Sequence, residues 1–153
     1  EPYAMRLDME RALAVARKRI GGAPITFTEI DAAGRRRIVV CDPQRWGDVV
    51  VLRKETPSSY LISVVVDDAR QGVTHVTRGM DLFAATDAQR VLQILLDLPA
   101  PLYHHHRLIV DPMGQKLSKS TGAQSLASLR AAGLSAQEVL QRISREAVSL
   151  PSG

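Results

Sequence analysis

Cysteine is almost absent from this chain, with Cys41 alone. A single thiol excludes an internal disulfide framework and any all-cysteine metal site within the chain. Aromatic residues make up only 4%, so binding by base stacking on an aromatic platform is not signalled. No apolar run reaches the roughly 20 residues that a transmembrane helix needs, and the opening EPYAMRLDMERA has no signal-peptide pattern. A cytoplasmic protein with no membrane partner is the expectation. Internal repeats and low-complexity segments are lacking, and so is the Walker pattern GxxxxGK[ST].

What is present is ordinary globular material. The 153 residues are 45% hydrophobic and 24% charged, enough to bury a core of about one domain. The net charge is +4, with an isoelectric point near 9.6. That balance fits a polyanionic partner such as nucleic acid, and equally a protein that is merely basic. The chain opens on Glu1 rather than methionine, as expected of a processed chain or a piece of a longer one.

The Ala-rich ERALAVARKR reads as a helix stopped by Gly21 and Gly22. Three β-like runs follow: ITFTEI, RRRIVVCD and GDVVVLR, separated by AAGR and DPQRWG. The arginines at 35, 36 and 37 suit a solvated turn as well as a phosphate. The valine-rich YLISVVVDD reads as a strand buried on both faces, and THVTRG as another. TDAQRVLQILLDL has helical spacing, with Thr86 and Gln89 as a capping box. HRLIV reads as a third strand. Two helices close the chain, AQSLASLRAA and SAQEVLQRISREA, the second with Ser135 and Glu138 as a capping box. Strands alternating with helices predict an α/β fold with a parallel sheet, whose ligands sit beyond the carboxyl ends of the strands.

Two stretches there could carry chemistry. GQKLSKS, after the apolar LIV, offers Lys116 and Lys119, the hydroxyls of Ser118, Ser120 and Thr121, and hinge glycines at 114 and 122. Lysines on a loop can meet charge developing on a phosphate, yet the same string fits a solvated turn. In THVTRGMD, Arg78 precedes a glycine that permits close approach, and a guanidinium there suits a carboxylate or a phosphate. Asp81 could orient that arginine, accept from a ribose, or simply pair with Arg78. Tyr60 offers a phenol at the same sheet end. Asp67 and Asp68 suit helix capping. His104, His105 and His106 alternate across a strand and cannot all chelate one ion, so no metal site is expected. Cys41 reads as a small buried hydrophobe and Trp46 as a packing anchor.

VVVDD, GVTHVTRGMD, the TDAQR helix start and KLSKS, taken in order, resemble the class I glutamyl-tRNA synthetases. The likeness runs from about Trp46 to Ile143. It is nearest to their short paralogues, the glutamyl-queuosine tRNA(Asp) synthetases, because DARQGVTHVTRGMDL and KLSKSTGAQSL follow that wording and the chain stops soon after the loop. The resemblance implies a Rossmann-type fold in which KLSKS is the KMSKS loop. Lys119, assisted by Lys116, would be catalytic and stabilise the ATP phosphates. Leu117, Ser118 and Asp81 would also contact ATP, and Tyr60 and Arg78 would bind glutamate. The implied reaction uses ATP with Mg2+ to form glutamyl-adenylate, then transfers the glutamyl group to queuosine in tRNA(Asp).

The HIGH-type motif of that family is missing, and so are the N-terminal arginine and serine segment and the four-ligand zinc site. The resemblance therefore implies the C-terminal part of a catalytic domain, inactive in isolation. Residues 1–55 would belong to the insertion between the Rossmann halves, 56–122 to the second half with its loop, and 123–153 to C-terminal helices. A fragment of a conventional glutamyl-tRNA synthetase and a non-catalytic tRNA-binding module are the alternatives.

Overall fold

Helix α1 (Met9–Arg19) forms where the Ala-rich segment predicts it. Its first turn is capped twice, because the Asp8 side chain accepts from the Arg11 amide and Asp48 Oδ1 accepts from the Met9 amide, both at 3.0 Å. Arg17, Lys18 and Arg19 occupy the last turn, where cations complement the helix dipole. Gly21 and Gly22, with φ of 66° and 81°, turn the chain away. The computed structural model describes residues 3–108, 110 and 125–148. They fall into two compact units, one through His106 and one from Arg107 onward.

In the first unit, β1 (Met5–Leu7) pairs antiparallel with β4 (Val49–Leu52). A four-stranded sheet holds β2 (Thr26–Ile30), β3 (Arg36–Val40), β5 (His75–Gly79) and β6 (Leu102–His106) in the order β3-β2-β6-β5. β6 runs parallel to both neighbours, and only the β2–β3 hairpin is antiparallel. The expected α/β class with parallel strands is therefore observed, with an antiparallel edge added. At the hairpin, Asp31 Oδ1 accepts from the amides of Ala33 and Arg35, each at 2.9 Å, and Gly34 takes φ +77°.

Three expectations are corrected. YLISVVVDD is not a strand but most of helix α2 (Tyr60–Arg70). Its largely apolar part, YLISVVV, is seven residues long and the element continues through DDAR to eleven, a length that suits a helix better than a strand. Second, the strand after α3 (Ala85–Leu95) is LYHHH, so that only His106 of the expected HRLIV lies in it and Arg107 and Leu108 follow it, while Ile109 lies outside the described residues. Third, Thr86 and Gln89 do not cap α3. Ala84 is its N-cap without a side-chain bond, and both residues are buried inside the helix.

The core lies between α1, α3 and the strands. Met9, Leu13, Ala16, Ile25, Val49, Ala88 and Val91 pack together, with Ala16, Ala88 and Val91 wholly excluded from solvent. This cluster, like the sheet, draws on residues both before and after position 55.

In the second unit, α4 (Leu126–Ala131) is capped by the Ser125 hydroxyl, which accepts from Ser128 N at 3.0 Å. The capping box at α5 (Ala136–Val148) forms as read. Glu138 Oε2 accepts from Ser135 N at 2.8 Å, and Ser135 Oγ accepts from Glu138 N at 3.3 Å.

Candidate functional site

The face of the sheet beneath α3 gathers a polar cluster inside an aromatic collar. Strand alternation puts Phe27 and Glu29 of β2 on one face, with Tyr103 and His105 of β6. Parallel pairing then sets Arg78 in direct register with His105. Glu29, Arg78, Thr86 and His105 are all less than a tenth exposed.

Buried polar groups at this depth need partners, and these supply one another. Arg78 Nε donates to His105 Nε2 at 3.0 Å, and Arg78 Nη2 donates to Thr86 Oγ1 at 2.5 Å. The Glu29 carboxylate holds His105 twice, accepting from its amide at 2.9 Å and meeting Nδ1 at 2.8 Å. The imidazole stacks on Tyr103, with planes 9° apart, and meets the edge of Phe83 at 5.0 Å. The Arg78 guanidinium also lies 5.1 Å from the Tyr103 ring centroid. Burial lowers the His105 pKa, partly opposed by the bond to Glu29, while Arg78 and His104 lower it further. Burial also raises the Tyr103 phenol, which accepts from Gln93 Nε2 at 3.0 Å.

An arginine always donates, so His105 Nε2 must offer its lone pair to Arg78. Nδ1 then carries the proton toward Glu29. The protein thus occupies the Nε–Nη2 edge of the guanidinium. Among the described residues no hydrogen bond engages Nη1, which leaves the Nη1–Nη2 end able to take a carboxylate in a bidentate grip.

The other site residues read from sequence fall as follows. Arg78 is where it was expected, near the carboxyl end of β5. Asp81 lies exposed on the 3-10 turn Met80–Leu82. Tyr60 opens helix α2 rather than a strand and is 51% exposed. Asp67 and Asp68 lie inside α2. Burial raises the Asp68 pKa, which Arg78 counters. Lys116, Leu117, Ser118 and Lys119 lie outside the described residues. Glu29, Thr86 and His105 were missed as members of one cluster. The signal was available for His105, because alternation from Tyr103 sends it to the same face.

His104 turns the other way, its Nδ1 2.8 Å from the Ile30 carbonyl oxygen. Among the described residues no group of three or more His, Cys, Asp and Glu could hold a metal ion. Cys41 is half-buried, with its thiol pushed up to about 12, chiefly by burial and then by Asp87. Asp87 in turn pairs with Arg45 at 2.6 Å. Trp46 Nε1 donates to the Ala84 carbonyl at 3.1 Å, tying the turn after β3 to the head of α3. No described helix is long and apolar enough to cross a membrane.

Comparison with known proteins identifies the frame around this cluster. The family model of tRNA synthetases class I (E and Q), catalytic domain, matches residues 28–152, beginning inside β2. A glutamyl-Q tRNA(Asp) synthetase from Rhodobacter capsulatus is 54% identical over 97 residues, covering 63% of this chain and 35% of that protein. Another, from Symbiobacterium thermophilum, is 43% identical over 116 residues, covering 76% of this chain and 35% of that protein. Among solved structures, a glutamate tRNA ligase from Elizabethkingia meningosepticum, in complex with its amino acid, superposes with a TM-score of 0.52 at 26% identity. That match covers 65% of this chain and 19% of the other. The chain thus spans about a third of the length of the curated relatives it matches. It belongs to the class I tRNA synthetase family of the E and Q type and carries part of that family's catalytic domain.

Proposed function

We propose that the chain is the C-terminal part of an ATP-dependent, cytoplasmic glutamyl ligase that modifies queuosine in tRNA(Asp). The observation that carries this reading is Arg78: a buried guanidinium, fixed along one edge, with its other end able to grip a carboxylate. The names of the relatives, several of them glutamyl-Q tRNA(Asp) synthetases, support the choice of acceptor.

On this reading Arg78 and Tyr60 bind glutamate. A carboxylate oxygen of glutamate attacks the α-phosphorus of ATP, a P–O bond to the β-phosphate breaks, and pyrophosphate leaves. Lys119 and Lys116 meet the charge that develops on the phosphates. Leu117 and Ser118 contact the nucleotide, and Asp81 its ribose. Magnesium would arrive on the ATP phosphates, and no described residue is assigned to hold it. A hydroxyl of the tRNA nucleoside then attacks the glutamyl carbonyl carbon, the bond from that carbon to the phosphate oxygen breaks, and AMP and the hydroxyl proton leave as the ester forms. Residues 1–55 derive from the insertion between the Rossmann halves, and the remainder of the catalytic domain supplies the groups that this chain lacks.

The test uses the whole gene product with labelled glutamate, ATP and magnesium, offered queuosine-containing tRNA(Asp) or tRNA(Glu). Label on tRNA(Asp) alone is expected. Label on tRNA(Glu) would make this part of a conventional synthetase. No label on either would favour a non-catalytic tRNA-binding module.

A further inference from the structure

We infer that Glu29 and His105 are positioning residues that aim Arg78 at its carboxylate ligand. This inference rests on the assignment of Arg78 to glutamate. Three strands and a helix converge on the guanidinium: β2 brings Glu29, β6 brings His105, β5 brings Arg78 and α3 brings Thr86. A free arginine side chain swings through many rotamers, and binding loses affinity when such freedom must be frozen. Here it is frozen beforehand. Nε and Nη2 are both committed, and the ring that receives Nε is itself held at Nδ1 by the Glu29 carboxylate and packed among aromatic rings, while the same carboxylate accepts from the His105 backbone amide.

The arrangement works in one protonation state only. With Nδ1 protonated and Nε2 bare, the buried cluster holds one anion, Glu29, and one cation, Arg78. A second proton on His105 would turn its lone pair into a donor aimed at another donor and set two cations side by side. The charged or titratable groups facing His105 are Glu29 from β2, Arg78 from β5 and Tyr103 from its own strand, while His104, on the opposite face, acts on it only through its charge. Asp68 of α2 faces Arg78 in turn. Thr86 of α3 adds a hydroxyl 3.3 Å from Nε2.

The experiment measures glutamate-dependent ATP–pyrophosphate exchange by the whole gene product across pH, in wild type and four variants. Glu29→Gln should raise KM for glutamate about tenfold, as expected for loss of a hydrogen bond to a charged group, while KM for ATP stays within about twofold. It should also move the acidic limb of kcat/KM for glutamate to lower pH, because the lost anion had favoured imidazolium. His105→Gln keeps an acceptor for Arg78 Nε, so it should bind glutamate better than His105→Phe and show no acidic limb from this site. Arg78→Lys separates the two ideas. If it leaves KM for glutamate unchanged, the assignment of Arg78 fails and this inference fails with it. If it raises that KM while the Glu29 and His105 variants do not, the positioning role alone is overturned. Should a variant not fold, nitrogen NMR of the His105 ring in the wild-type protein decides. A neutral, Nδ1-protonated ring at neutral pH supports the role, and an Nε2-protonated or doubly protonated ring overturns it.

Discussion

His105 couples protonation to folding as well as to the site. Burial lowers its folded-state pKa, so the unfolded chain takes up the proton more readily. Stability from this group is complete above the unfolded value of about 6.5 and is lost as pH falls through the lower folded value. The urea midpoint of the wild-type chain should therefore drop on acidification relative to His105→Gln. Using the difference removes the opposite drift from Asp68 and Asp87, whose pKa values burial raises. Parallel curves for the two proteins would contradict this. Arg78 was legible in the sequence because an arginine between a strand and a glycine is an unusual placement. The cluster around it was not, because Glu29 and His105 lie 76 residues apart along the chain, and only the β2–β6 pairing brings them together. Thr86 was misread because a threonine near a helix start has an ordinary use as a cap, and its bond to Arg78 is made through tertiary structure.

Elements were legible where turn chemistry and periodicity agreed. The helix before Gly21, the AAGR hairpin and the Ser135–Glu138 box all follow local rules. α2 did not, because Val64, Val65 and Val66 carry strand propensity that packing overrides. β6 was displaced because three histidines weaken its apolar pattern, while the LIV beyond them looks more like a strand. For α1 the buried set Met9, Ala12, Leu13 and Ala16 is spaced to present one stripe to the core. Leu13, 2% exposed, is the largest aliphatic side chain of that stripe and packs with Val91 of α3 in the same cluster. Leu13→Ala should cost about 3 kcal/mol of stability by denaturant titration. A loss below about 1 kcal/mol would mean that α1 does not carry the core as described.

At the scale of the molecule, the sequence spoke for family more clearly than for architecture. Ordered motifs such as THVTRGMD survive any error in assigning helix or strand. The sharing of one sheet by residues on both sides of position 55 depends on long-range pairing that no local pattern records. That sharing also makes the first unit a cooperative body, and Trp46 gives a way to watch it. The chain has no other tryptophan, and its indole is tethered to the head of α3. Its ultraviolet emission is therefore an intrinsic optical reporter of the junction between the early segment and the helix that carries Thr86. A urea titration followed by that emission should coincide with one followed by far-ultraviolet circular dichroism. An emission transition at lower urea would show the junction opening before the helices melt. Coincident curves would let the fluorescence serve, without any added dye, as the stability assay for every substitution named above.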